Sequence, residues 1–345
     1  MAYLAGKIVL DVDAGAPNNG RADESTVGNI TRVKQMRIGR EIYPYVSAQA
    51  LRRWWRDSLP AQEKRSPVIR SGTGKKQQAY TKGRPDLYLD DDLFGYMVAL
   101  KGASTQRDTV LATGTAIAIA PRHPVEDFGT MSRGFAVGDN PVLHEHEFYS
   151  AELAADMLLD LPRIGVFEVD GSGLKVSLSD ESIAEAKTAG AEEHTLRGIS
   201  ALRLPLAERR RRAAIVLRTL ASLQGGAKQA LHYGDRAPAF VLLAPLKGGI
   251  NPFTRIFQAV GAKTVFEPGV LREEIGAWDD ELDGPVRIGW APGFLGEQRE
   301  QAKRELKDLI DAGSLLIEHP RVVLNDLAEE ITAGGRDAWF EDPAR

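Results

Sequence analysis

The chain opens on a β-rich run, Tyr3–Asp13, whose apolar residues predict a strand. A polar stretch rich in Gly and Asn follows to about Gly39. A helical period begins at Ser47 and runs to about Leu59, where Pro60 stops it. Residues 61–107 are polar and rich in Gly and Lys, with one compact apolar patch at Leu93-Phe94-Gly95-Tyr96, and predict an insertion outside the core. Residues 109–120 predict a strand closed by Pro121, and Leu143–Tyr149 alternates as a second strand does. Its continuation, 150–161, fits a strand or a helix by period alone. An Asp-Gly turn signal between Val166-Phe-Glu-Val and Leu174-Lys-Val-Ser-Leu predicts a hairpin over 166–178. A polar stretch to about Arg203 precedes a helix from about Pro205 to Leu223, ended by Gly225-Gly226. Residues 237–246 predict an apolar strand. Beyond it the pattern predicts a helix near 251–260, an acidic loop, and helices near 297–311 and 320–332. No repeat recurs at a fixed period.

Stripped of its insertions, this order is β, α, β strands, α, β. It fits an α+β fold of the ferredoxin-like (RRM-type) βαββαβ kind, an antiparallel sheet backed by two helices. Periodicity alone does not fix that topology. No apolar run approaches the ~18–20 residues that cross a bilayer, and the first residues lack the pattern of a signal peptide. The absence of cysteine excludes disulfides, thiolate metal sites and cysteine nucleophiles, and fits a reducing cytoplasm.

Charge changes the picture once it is placed along the chain. The 44 Lys and Arg against 48 Asp and Glu leave a net −4, which by itself argues against a nucleic-acid partner. Residues 31–84, however, hold fourteen Lys/Arg and three acids, a net +11, and the remainder carries −15. A chain divided in this way can turn a basic face to a polyanion while staying soluble elsewhere. A solvated basic loop accounts equally well for 64–84.

The helix after Tyr45 is the ordered part of that segment. At about 100° per residue, Gln49, Arg52, Arg53 and Arg56 share one face, and Leu51, Trp54 and Trp55 the opposite one. Ser47 is a natural N-cap, and the positive end of the helix dipole beside it is a phosphate site, with arginines one and two turns on to continue a backbone track. An amphipathic surface helix with solvated arginines fits the same pattern.

The run Pro44-Tyr-Val-Ser-Ala-Gln-Ala-Leu-Arg-Arg-Trp-Trp-Arg56 resembles the S-x-Q-x-L-[KR]-R signature of the backbone subunit of type I CRISPR Cascade complexes, within the RAMP superfamily, and most of all its DevR branch. Asp90-Asp-Asp-Leu-Phe-Gly-Tyr-Met, Asp127-Phe-Gly-Thr-Met, His144-Glu-His-Glu-Phe-Tyr149 and Gly225-Gly-Ala-Lys-Gln-Ala230 are similar to the same branch in order and spacing. The resemblance implies a non-catalytic, cofactor-free subunit that polymerises along a guide RNA (crRNA) and presents it to a target DNA strand. Its partners are then further copies of itself and the large, small and guide 5′-end-capping subunits of the complex. It implies one elaborated domain, with a palm, a fingers insertion over 60–140, a thumb hairpin over 165–204 and a helical C-terminal extension over 250–345. It places Ser47, Gln49, Arg52, Arg53 and Arg56 on RNA phosphates, Arg standing here where the family often has Lys. Lys34, Arg37 and Arg40 precede the helix in a loop that the family turns towards the guide. Lys228 and Arg236 belong to its Gly-rich RNA-facing loop, although two glycines at a helix end also make a plain C-cap. Leu174, Val176 and Leu178 are the candidate thumb residues that wedge beside a base; a core-packing hairpin explains them as well.

Other chemistry lacks its motif. Ser71-Gly-Thr-Gly-Lys-Lys76 departs from a phosphate loop at Ile69 and Lys76. His144 and His146 would share a strand face, but Phe148 stands where a helical H-E-x-x-H needs its second His, and no third metal ligand is evident. No G-x-S-x-G elbow and no RNP1 octamer occur. Two alternatives to a guide holder remain: a target-RNA-cleaving subunit like those of type III complexes, with Asp23 beside Glu24 as the stand-in loop acid, and a regulatory RNA-binding protein.

Overall fold

The computed structural model describes residues 2–22, 30–74, 77–100, 103–140, 142–170 and 176–342. Asp23, Glu24, Lys75, Lys76 and Leu174 lie outside the described residues.

The palm is built from eight elements in chain order. Strand β1 (Tyr3–Gly15) leads to helix α1 (Ala48–Asp57), then to the short strands β2 (Leu111–Thr113) and β3 (Ala116–Ala118). Strand β4 (Val125–Met131) and the long strand β5 (Val142–Asp160) form a hairpin, helix α2 (Leu206–Leu220) follows, and β6 (Phe240–Leu246) completes the unit. In the sheet β6 lies beside β1, β1 beside β5, and β5 beside β3, all antiparallel, with Val9 opposite Phe240 and Leu10 opposite Leu153. That is the order fourth, first, third, second of a ferredoxin-like unit. The expected α+β class and topology therefore hold. Strands Glu41–Val46 and Gln35–Ile38 extend the sheet past β3. Strands β7 (Val286–Trp290) and β8 (Leu315–Glu318) extend it past β6.

Alternation along the strands divides the core in two. Leu4, Ile8, Leu10 and Val12 of β1, with the odd-numbered residues Leu153, Met157 and Leu159 of β5, face Leu51, Trp55, Leu217 and Leu220 of the two palm helices. Helix α3 (Pro320–Thr332) joins that layer through Leu324, Leu327 and Ile331. On the opposite face, Phe240, Phe257, Phe266 and Trp290 pack with ring centroids 4.9 to 5.8 Å apart. This second layer explains why Leu4 to Leu10 of β1 are buried on both faces.

Several elements differ from the pattern reading. The helix expected near 251–260 is one 3-10 turn followed by a hairpin, Phe257–Val260 with Lys263–Phe266, because Gly261 takes φ +61° at the turn and Phe257 and Phe266 both belong against Phe240. The expected acidic loop contains a helix, Pro268–Ala277, and β7. The C-terminal extension is thus mixed rather than purely helical, and only α3 has the expected bounds. The expected 297–311 helix breaks at Leu306, whose ψ of 17° separates Gln298–Glu305 from Lys307–Asp311.

The insertion also departs from expectation. Helix Leu89–Phe94 sends Leu89, Leu93 and Phe94 into the main core, so part of 61–107 is core. The strand Val166–Glu168 pairs mainly with Ile199–Arg203, which pairs in turn with Glu192–Leu196. Ser177 N still donates to Glu168 O at 2.8 Å, so the two arms of the expected hairpin lie side by side at one bond. The polar stretch after it holds a helix, Asp180–Thr188, capped by Ser179. Leu178, offered as a wedge residue, is 1% exposed and packs with Phe167, Ala186 and Leu202, so it is a core residue of this small sheet. Val176 is half-buried, and its carbonyl accepts from Gln106 N at 2.8 Å.

Candidate nucleic-acid interface

Ser47 begins α1 as its sequence position requires. Its φ and ψ of −64° and 149° are extended, and its hydroxyl accepts from Ala50 N at 3.4 Å. Ser47 N in turn donates to Asn18 Oδ1 at 3.0 Å, which ties the helix start to the loop leaving β1. Leu51, Trp54 and Trp55 are buried, and the Trp55 indole donates to Val216 O on α2 at 3.0 Å. These anchors leave Gln49 and Arg53 exposed and Arg52 and Arg56 half-exposed on the outer face. Ser47→Ala is expected to lower stability by about 1 kcal/mol in urea melts; an unchanged midpoint would show that the cap is idle.

The outer arginines are held in different ways. Arg52 Nη1 donates to Thr113 Oγ1 at 3.2 Å, and burial, then the adjacent Arg56 charge, lower its pKa, so an incoming anion is welcome there. Arg53 makes an exposed pair with Asp57 at 3.2 Å, which is worth little to stability. Arg56 lies over the Phe94 ring at 5.1 Å, and its Nε, 3.8 Å from Asp90 Oδ2, has no hydrogen-bond partner.

The Gly-rich loop is stitched to the same region. Gln224 N donates to the Ser58 hydroxyl at 2.9 Å, and Ala227 N to Pro17 O at 2.9 Å. Gly225 takes φ +128° with its Cα against the Trp54 ring; a Cβ there would sit 2.8 Å from Trp54 Cγ. Only glycine lets the loop lie on the helix. Lys228, half-buried at φ +57°, offers its carbonyl to Leu231 N and His232 N.

Arg236 is the unusual residue of the loop. It is 2% exposed, and Gly15, Gly226 and Gly234 surround its guanidinium. Nη1 donates to the residue-235 carbonyl at 2.7 Å, while Nε and Nη2 have no partner. Burial lowers its pKa; burial likewise raises that of Tyr149, which acts on Arg236 electrostatically and whose hydroxyl is also buried without a partner. Arg236 lines a cavity of about 370 Å³ with Gly225, Gln229 and Tyr233.

The structure brings Ser47, Lys34, Lys228 and Arg236 to one place around Pro17 and Asn18: Lys34 N donates to Asn18 O at 2.8 Å. Arg52, Arg53 and Arg56 lead away along α1. Arg37 and Arg40 lie instead on the exposed edge hairpin Gln35–Ile38 with Glu41–Val46. Asn18 and Thr113 belong to the site without any sequence motif to single them out, and Tyr149 closes the His144–Tyr149 motif, which gave it no role of its own. The sheet face away from the palm helices carries buried Lys7 bonded to Asp156 at 2.6 Å, with Asp11 directly opposite Glu152. Burial, then Glu152 and Asp13, raises the Asp11 pKa. The sheet face on which RRM aromatics stack bases is here largely covered by the second apolar layer, with its acids Asp156 and Glu152 paired to Lys7 and Arg122, and the basic groups gather at the α1 end of the palm.

The projecting element is the hairpin of β4 and the first half of β5. All seven residues of β4 are exposed, Phe128 at 70%, and Leu143 opposite Thr130 at 59%. Its base is fixed where Glu147, buried, accepts from Val33 N and from Arg32 Nη1, both at 2.8 Å. His146 meets His232 of the Gly-rich loop with ring centroids 4.9 Å apart and the planes tilted by 53°. Among the described residues no three His, Asp or Glu side chains are arranged to hold a metal, and no helix is long and apolar enough to cross a membrane.

No family model and no curated protein matches the chain. Solved structures do resemble it. A chain of a CRISPR RNA-guided surveillance complex aligns over 95% of this chain and 98% of its own length, with a TM-score of 0.50 at 14% identity. A chain of a CRISPR RNA-guided surveillance complex in a pre-nicking state aligns over 96% and 99%, with a TM-score of 0.54 at 12% identity. The chain thus shares its fold, nearly end to end, with subunits of CRISPR RNA-guided surveillance complexes.

Proposed function

We propose that this protein is a guide-RNA-binding backbone subunit of a type I CRISPR Cascade complex, of the DevR branch, which polymerises along the guide and presents it to target DNA. The observation that carries this reading is Arg236: a nearly buried guanidinium with two N–H groups unused, at the foot of the Gly-rich loop and beside the start of α1. Such a group is costly unless an anion completes it. A guide phosphate would satisfy it, and the outer face of α1 extends the positive track. No base-reading aromatics are needed by a holder that must accept any guide sequence. The role is non-catalytic and requires no cofactor.

The thumb, in this reading, is the arm of β4 and β5 rather than 166–178. It is the hairpin that leaves the palm and exposes Phe128, Met131, Val137 and Leu143, and such side chains suit a wedge between nucleotides or a seat on the next copy. The partners are the guide, the target strand, further copies, and the large, small and guide-capping subunits.

Mass measurement of the protein co-expressed with a guide RNA is expected to give several copies per RNA, rising with guide length. A single copy at every length would sink the proposal. In the same assembly, Arg52→Glu with Arg56→Glu is expected to weaken guide binding by at least tenfold for all guide sequences and to flatten its salt dependence. Sequence-dependent losses would argue for base readout instead.

A further inference from the structure

A second basic cavity, of about 360 Å³, opens where the C-terminal ends of α1 and α2 meet the first turn of α3. Arg218 of α2 and Arg321 and Asn325 of α3 line it, with the Ser58 and Thr219 hydroxyls and no carboxylate. The hydroxyls are committed: Ser58 accepts from Gln224 N at 2.9 Å, and Thr219 donates to Ile215 O at 2.7 Å. The side chains of Arg218, Arg321 and Asn325 have no ion-pair or hydrogen-bond partner among the described residues.

Arg218 stands apart from the other arginines of its helix. Arg209 donates to the carbonyls of Pro162, Ile164 and Phe340; Arg210 pairs with Asp337, Arg211 with Glu63 and Glu208, and Arg212 with Asp92 and Glu208. Four of the five are thus used to hold the fold, and Arg218 alone on α2 points to no internal acceptor. Arg321 approaches from a different helix. The positive end of the α3 dipole faces the same space, but so do the negative C-terminal ends of α1 and α2, and His319 Nδ1 already accepts from Arg321 N at 3.2 Å, so the attraction for an anion rests on the two guanidiniums rather than on the helix ends.

We propose that this cavity binds a phosphodiester group. One oxyanion would satisfy two guanidinium forks and the Asn325 amide together, and its volume is in the range of small-ligand pockets, enough for a phosphate with its attached sugar. The site lies at the far end of α1 from Ser47, roughly 15 Å along a helix of this length. The phosphodiester comes either from the strand that follows α1 or from a second strand, and these sources separate experimentally. The inference does not depend on the guide-holding reading.

The test uses the full chain, alone and assembled with guide RNA, titrated with a fluorescent thirty-nucleotide oligo-dT at several salt concentrations. The double variant Arg218→Ala with Arg321→Ala is compared with Arg255→Ala and Arg272→Ala combined, which removes the same charge elsewhere. Binding of oligo-dT by the first variant is expected to weaken about tenfold, with the salt slope falling by about 0.7, the value for one phosphate on a single strand. Loss of guide loading instead, with oligo-dT binding intact, supports the site with the guide strand as its source. Both arginines are exposed, so the variant should melt as the wild type does, and Arg321→Gln alone gives a milder version of the same loss. If the double variant matches the control in both titrations, the cavity is not a phosphate site.

Discussion

Replacing Arg236 by methionine is expected to stabilise the free protein while weakening its hold on guide RNA by about 10- to 100-fold. The two effects share one cause. In the free chain the guanidinium is 2% exposed, and two of its N–H groups have no acceptor. An unsatisfied buried group of this kind costs about 1–3 kcal/mol, more when charged. Methionine fills similar space with an adaptable apolar chain and loses only the bond from Nη1 to the residue-235 carbonyl. The midpoint of thermal unfolding should therefore rise by a few degrees. In the complex, the same substitution removes charge-assisted bonds worth about 1.5–3 kcal/mol each. A variant that melts lower and binds as before would make Arg236 a structural residue and would remove the main support for the phosphate site. Tyr149→Phe, which deletes the unpartnered phenol hydroxyl of the same site, is expected to change stability in the same direction and affect binding less.

The palm was readable in the amino-acid pattern because its helices carry buried apolar residues at helical spacing and its central strands β1 and β6 are apolar runs. Ser47 and the Leu51-Trp54-Trp55 stripe are local signals, and the structure places them as expected, whereas α2 ends at Leu220, ahead of the expected Leu223 and of Gly225-Gly226. Strand β5 was half-readable. Residues 150–161 have a helix-compatible composition, and only pairing with β1 on one side and with β2 and β3 on the other makes them a strand. Strands β7 and β8 had no readable signal of their own; they are short and exist because β6 offers an edge to extend. For the site, the basic face of α1 was evident from its period. Its convergence with Arg236, Lys34 and Asn18 was not, since loops distant in sequence create it through backbone bonds that no spacing encodes.

Asp90-Asp91-Asp92 illustrates what a local reading cannot weigh, because the three neighbouring acids are all buried yet have unequal worth. Asp92 Oδ1 accepts from Arg107 Nη2 at 2.5 Å, and Oδ2 from Arg212 Nη1 at 2.8 Å and Gly165 N at 2.9 Å. The Asp92 and Arg107 side chains are 0% exposed. The carboxylate thereby joins the insertion, α2 and the root of the small sheet that begins at Val166. Removing one partner of a buried pair leaves the other uncompensated, at about 3–5 kcal/mol, against a total stability of about 5–15 kcal/mol for a folded domain. Asp92→Ala is therefore expected to yield largely unfolded or insoluble protein, and Asp92→Asn a urea midpoint far below wild type. Asp90 is different. Burial raises its pKa, its main bonds come from Ser66 N, at 3.1 and 3.3 Å, and an asparagine oxygen can still accept there. Asp90→Asn should cost less than about 1 kcal/mol, since it gives up only a 3.8 Å ion pair to a half-exposed arginine. It also releases Arg56 from its one internal anion, so guide affinity should hold or rise. Equal destabilisation by Asp90→Asn and Asp92→Asn would mean that the cluster acts as an undifferentiated acidic plug. The opposite ranking would show that the insertion is held by the α1 contact at Asp90, and not by the arginines that converge on Asp92.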